Sequence, residues 1–167
     1  MELPDWLIAS GAVYQSLWNT LIGRPCGYGL KDIDLIYFDD SDLSWDAEDK
    51  YIRRVGAAFR ATNLAVPVET RNQARVHLWF EDKFSVPYAP LASSAESLTR
   101  YESTASAIGI RLDDDDKLDI VAPFGIEDAM AMRFCPNTYT DHEIRSVYER
   151  KATRCRSVWP EAIYLAR

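Results

Sequence analysis

The sequence predicts an α+β domain in which a mixed β-sheet is flanked by helices. Three observations carry that reading. The run Ile33-Asp34-Leu35-Ile36-Tyr37-Phe38 is β-branched and aromatic, helix-spaced apolar residues lie on either side of it, and two further short extended segments are separated by a turn. At 167 residues and 19.1 kDa the chain has the size of one domain, residues 1–167, able to bury a core without disulfides or a structural metal.

In chain order, the apolar residues from Pro4 to Leu21 recur at three- and four-residue spacings until Gly23 and Pro25 stop them, which predicts a helix broken near Gly11. A glycine-bearing loop, Cys26 to Lys31, leads into the strand at 33–38. Ser44 is placed to cap a helix with the stripe Trp45, Ile52, Val55, Ala58 and Phe59, ending near Asn63. Ala65 to Glu69 reads as extended, with Pro67 confining it to a sheet edge. Asn72 to Phe84 has helical spacing, and a short helix is expected around Ala95 to Tyr101. Ala107 to Leu112 and Leu118 to Val121 read as a hairpin whose aspartate run, Asp113 to Asp116, is a solvated turn. Gly125 to Phe134 and Thr140 to Trp159 read as two closing helices, and Ile163 to Leu165 as a last strand.

Bulk charge narrows the function. A net charge of -7 opposes a protein that grips a long stretch of nucleic acid, because such grip comes from Lys and Arg neutralising phosphates. A small-molecule or protein partner is favoured. Cys26, Cys135 and Cys155 are odd in number and far apart, signalling neither a disulfide framework nor a zinc site and suiting a cytoplasmic location. The N-terminal residues lack the pattern of a secretory signal, and no apolar run approaches the ~20 residues of a membrane span.

The chemistry is expected at Asp32 and Asp34. Residues two apart on a strand project to one face, so their carboxylates stand together and repel unless a cation intervenes. A hard divalent ion, Mg2+ or Mn2+, takes oxygen ligands and leaves positions for water and a nucleoside triphosphate. Glu69, at the end of the next extended segment, is the candidate third carboxylate, and Asp119 competes on pattern alone. Arg75 is suited to phosphate because guanidinium pairs with it bidentately, whereas His77 reads as structural. Trp18, Trp45 and Trp79 read as core rather than as stacking platforms, and Met130 and Met132 as core filler.

The stretches Ala9-Ser10-Gly11-Ala12-Val13, Gly23-Arg24-Pro25 and Lys31-Asp32-Ile33-Asp34-Leu35 resemble the start of the nucleotidyltransferase superfamily head, particularly its polynucleotide-adenylating and CCA-adding branch. There a small-residue turn opens a helix that cradles the triphosphate, which implies phosphate binding by Ser10, Gly11 and Lys31. Gly11 also reads as a packing position between helix pieces. This chain departs from the pattern in three places. Ser10 stands at the usual first glycine, Tyr14 and Gln15 replace an arginine and an aspartate, and Cys26 to Gly29 lengthen the loop.

Over nearly its whole length the chain is similar to a bacterial family of nucleotidyltransferase-like proteins, first catalogued as a domain of unknown function. The likeness lies at Lys31 to Asp34, Leu43-Ser44-Trp45, Val68-Glu69, Asn72 to His77, Lys83-Phe84, Pro87-Tyr88 and Ala122 to Gly125. It implies a nucleotidyltransferase-type sheet and favours Glu69 over Asp119. The expected activity is metal-dependent transfer of a nucleoside monophosphate from a triphosphate to an unidentified acceptor. The alternative is a non-catalytic nucleotide sensor or interaction module on the same fold.

Overall fold

A computed structural model describes residues 3–62, 64–137 and 142–166. Five strands form one sheet in the order β3-β2-β1-β4-β5, where β1 is Leu7–Ala9, β2 Ile33–Tyr37, β3 Val68–Asn72, β4 Gly109–Leu112 and β5 Leu118–Val121. The pair β2–β3 is parallel and the others antiparallel, so the sheet is mixed.

The N-terminal segment differs from expectation. Leu7–Ala9 is a central strand, and α1 begins only at Gly11 and runs to Leu21. Helical spacing there was coincidental: Leu7 and Ala9 alternate inward, and pairing with both β2 and β4 satisfies their backbone groups. Ser10 makes the corner at φ 53° and ψ -121°, a backbone region that is natural for glycine.

After β2, Ser44 Oγ accepts from the Ala47 N–H at 3.2 Å and starts α2, Trp45–Arg60; the expected end at Asn63 lies outside the described residues. Val55 of α2 packs with Leu3, Leu35 and Tyr37 on one face of the sheet. Trp45, expected in that stripe, is instead exposed and lies under the Arg75 guanidinium. Pro67 precedes β3 at the sheet edge, where its missing N–H costs no ladder bond.

The segment expected to be one helix from Asn72 is divided. Asn72 ends β3, a 3-10 turn covers Gln73–Leu78, and α3 covers Phe80–Phe84. The Asn72 side chain accepts from the Ala74 N–H and, through Asp39, ties the turn to the end of β2. A short helix, α4, spans Ser94–Leu98. Of the helix expected from Gly125 to Phe134 only α5, Glu127–Met130, forms; Arg133–Phe134 is β6, parallel to β7, Ile163–Tyr164. Met132 sits at φ 50° and ends the turn, while Met130 is solvent-exposed rather than core.

The last helix, α6, spans His142–Val158 and precedes β7; residues 140 and 141, where this helix was expected to start, lie outside the described residues. A second apolar cluster joins α1, α5, β6 and α6 through Tyr14, Trp18, Ala129, Phe134 and Tyr148, with Trp159 just beyond α6, all essentially buried. Burying aromatic side chains of this size contributes about 1.5–3 kcal/mol each. Among the described residues no helix is long and apolar enough to cross a membrane.

Candidate active site

Antiparallel pairing sets Ala9 opposite Asp34, which delivers the Ser10 corner and the first turn of α1 beside the aspartates. Parallel pairing sets Asp34 opposite Glu69. Register alone therefore gathers the corner, the Asp-x-Asp pair and the third carboxylate at one end of the sheet. Asp119 is on β5, separated from β2 by β1 and β4, and is engaged by Arg111 Nε at 3.0 Å. It is not part of this group.

Two cavities meet at Asp34. The first, about 330 Å3, is lined by Ser10, Gly11, Lys31, Asp32 and Asp34, with Lys151, Arg154 and Cys155 from α6. Ser10 Oγ is buried and has no hydrogen-bond partner among the described residues, an arrangement that an anion entering the cavity would relieve. Gly11, the first residue of α1, also lines the cavity; Val13 and Tyr14 N–H donate back to the Ser10 carbonyl, and a helix start has no intrahelical acceptor for the N–H groups before them. A Cβ on Gly11 would lie 3.3 Å from the flexible Gln15 amide, so close packing alone does not demand glycine there. Lys31 is exposed and reaches Asp32 at 3.2 Å.

The second cavity, about 320 Å3, lies on the other side of Asp34. Glu69 and Arg71 of β3, Trp79, Phe80, Lys83 and Phe84 around α3, and Tyr88, Arg100, Tyr101 and Glu102 surround it. Trp79, expected in the core, thus lines a cavity beside Tyr88, while Trp18 is core as expected.

The electrostatics show crowding of negative charge. Burial raises the Asp34 carboxyl from its usual range to about 6; Lys151 opposes this, and the carboxylates of Asp32, Glu69 and Glu102 add to it. Lys151 ion-pairs with the buried Glu102 at 2.9 Å. Burial pulls its ammonium down, but Glu102 and then Asp34 more than restore it, so the lysine stays charged.

A family model described as nucleotidyltransferase matches residues 1–163. The chain belongs to this nucleotidyltransferase family. Its fold is similar to a solved structure titled as revealing a CCA-adding enzyme head domain, with TM-score 0.80, 22% identity, 99% of this chain and 83% of that chain covered. It is also similar to a tRNA-processing enzyme, with TM-score 0.54 and 17% identity over 97% of this chain and 40% of that one. A third match is a tRNA nucleotidyltransferase complexed with a primer tRNA and an incoming ATP analog, with TM-score 0.52 and 14% identity, covering 97% and 43%. The chain spans well under half of these two longer proteins. A comparison with curated protein sequences gives no match.

Within this family member the expected residues divide. Ser10, Gly11, Lys31, Asp32 and Asp34 share the first cavity, and Glu69 stands across Asp34 in the second. Arg75 lines neither. Its guanidinium ion-pairs with buried Glu48, its Nε donates to the Leu43 carbonyl, and it covers Trp45. Lys151, Arg154 and Glu102 escaped the sequence reading. The available signal was the spacing Val147, Lys151, Arg154, which puts two cations on one face of a helix. Nothing local said that this face would meet the aspartates.

Proposed function

We propose that the chain transfers a nucleoside monophosphate from a nucleoside triphosphate to an acceptor, with pyrophosphate leaving, and that Mg2+ or Mn2+ is required. The observation that carries the reading is the shared cavity: an aspartate pair faces an orphaned Ser10 hydroxyl, a helix start and cationic side chains.

The donor set fits such an ion. Carboxylate oxygens suit a hard cation, and Asp34 sits among like charges that a cation would relieve. Among the described residues no cluster of three or more His, Cys, Asp or Glu already stands as a ligand set. Asp32 and Asp34 would therefore hold the ion with water and phosphate oxygens completing it, a common arrangement for Mg2+. When bound, the ion supplies charge neutralisation for the triphosphate. The chain's own groups do the rest. Ser10 and the first turn of α1 bind phosphate oxygens, Lys31, Lys151 and Arg154 balance their charge, and Glu69 faces the acceptor side, where it accepts a proton from the attacking hydroxyl.

Asp32→Asn and Asp34→Asn should weaken Mg-ATP binding in calorimetry by about tenfold or more, ~1.4 kcal/mol, with circular dichroism unchanged. Unaltered binding in both variants would remove the assignment. A second reading, nucleotide binding without turnover, is favoured by the altered turn, in which Ser10 replaces the usual first glycine and Tyr14 and Gln15 replace an arginine and an aspartate. Pyrophosphate release from labelled triphosphates with Mn2+ or Mg2+ separates the two.

A further inference from the structure

We propose that the second cavity is the acceptor site, and that the acceptor is a small molecule carrying an aromatic ring, an anionic group and a hydroxyl. This rests on the nucleotidyl-transfer reading and adds the class of the second substrate.

Four features support it. The cavity shares Asp34 with the triphosphate side, so a group within it can reach the reacting phosphorus. Its volume of about 320 Å3 is at the small end for ligand sites, about 300–1,000 Å3, and encloses a group of small-molecule size. Its wall is aromatic: Phe80 lies 4.7 Å from Phe84 and 4.4 Å from Tyr88, ring centroid to centroid, with Trp79 6.0 Å from Phe80. Such rings offer a stacking platform for a planar ligand.

Charge is the fourth feature, and it is polarised along β3. Glu69 is opposite Asp34, and Arg71, two residues on and on the same face, is opposite Ile36. Two strand residues advance roughly 6–7 Å. Arg71 donates to the Thr70 carbonyl at a long 3.4 Å and has Glu69 at 3.9 Å, and Lys83 lies over Trp79 and Phe84 with no ion pair among the described residues. A ligand whose anion meets Arg71 and Lys83 therefore directs its other end toward Glu69 and Asp34. In the transfer the acceptor hydroxyl oxygen bonds to the α-phosphorus and the bond from that phosphorus to the α,β-bridging oxygen breaks. The hydroxyl proton passes to Glu69, and the electron pair of the broken bond leaves with pyrophosphate.

The probe is 5′-AMP, titrated in EDTA against the full chain while tryptophan emission is followed, with adenosine and ribose 5-phosphate as ring-only and anion-only controls. Saturable quenching by AMP is expected, about tenfold weaker for either control and about tenfold weaker in the exposed-side variant Arg71→Ala/Lys83→Ala. Trp79→Phe should abolish most of the quenching, and Asp32→Asn should retain it while losing Mg-ATP binding. No binding of AMP, or AMP binding that survives Arg71→Ala/Lys83→Ala, overturns the proposal. So does AMP binding lost in Asp32→Asn, because the probe then occupies the triphosphate side. Loss of the AMP result with intact Mg-ATP binding leaves the nucleotidyl-transfer reading standing.

Discussion

Asp34 is where sequence, packing and chemistry meet. Its carboxyl is raised to about 6 by burial and by Asp32, Glu69 and Glu102, against Lys151. A carboxyl whose folded value exceeds its unfolded value binds its proton more tightly in the fold. Its contribution to stability is complete below the unfolded value near 3.8 and is lost as pH rises through about 6. In EDTA, Asp34→Asn should therefore unfold at higher urea than the parent at pH 8, by at most about 3 kcal/mol, with little difference at pH 4. Equal midpoints at pH 8 would show that the carboxylate is not strained there. Ser10 gives a second test. Its φ of 53° and ψ of -121° suit glycine, so Ser10→Gly should gain about 1 kcal/mol in urea unfolding. The same change removes a hydroxyl from the triphosphate cavity, and Mg-ATP affinity should fall as stability rises.

Two elements owe their position to contacts between distant parts of the chain. The end of β3 is fixed by Glu48 of α2, whose carboxylate accepts from the Asn72 N–H at 2.9 Å and pairs with Arg75. Arg75→Met leaves that buried carboxylate unpaired and should cost about 3–5 kcal/mol, with Mg-ATP affinity of the folded variant unchanged. A selective loss of nucleotide affinity at full stability would return Arg75 to the binding site. The lengthened loop before Asp32 is held in the same way. Arg154 donates to the Gly29 carbonyl at 2.7 Å, Asn19 donates to that of Tyr28, and Arg24 reaches the end of α6 at Val158. Gly29 has φ +70°, and a Cβ there would lie 2.5 Å from Val158 and 2.9 Å from the Trp159 ring. Gly29→Ala should lower the melting temperature and loosen α6 from the aspartates, seen as faster amide exchange in the loop.

At the scale of the molecule, the sheet order β3-β2-β1-β4-β5 puts the two cavities on opposite sides of one aspartate, and α6 returns from the far end of the chain to roof the first. The chain as a whole carries a net charge of -7. Long RNA should bind weakly, with filter-retained complex absent at about 0.15 M salt, because few released counterions drive association. Tight salt-sensitive RNA binding would instead indicate a cationic surface that overrides the bulk charge.

The sequence alone determined the strand at Ile33 to Tyr37, its aspartate pair, the capped helix from Ser44, the hairpin with its acidic turn, and the family. These are local: strand alternation, a cap three residues from its partner, and a motif contiguous in the chain all report themselves within a few residues. The first strand was hidden, because three residues of strand have no periodicity of their own and only pairing on both sides makes them one. Arg75 and Lys151 were exchanged in importance for the same reason. Whether a cation faces a cleft or neutralises a buried carboxylate depends on which distant element packs against it, and only the tertiary structure brings Glu48 to Arg75 and α6 to Asp34.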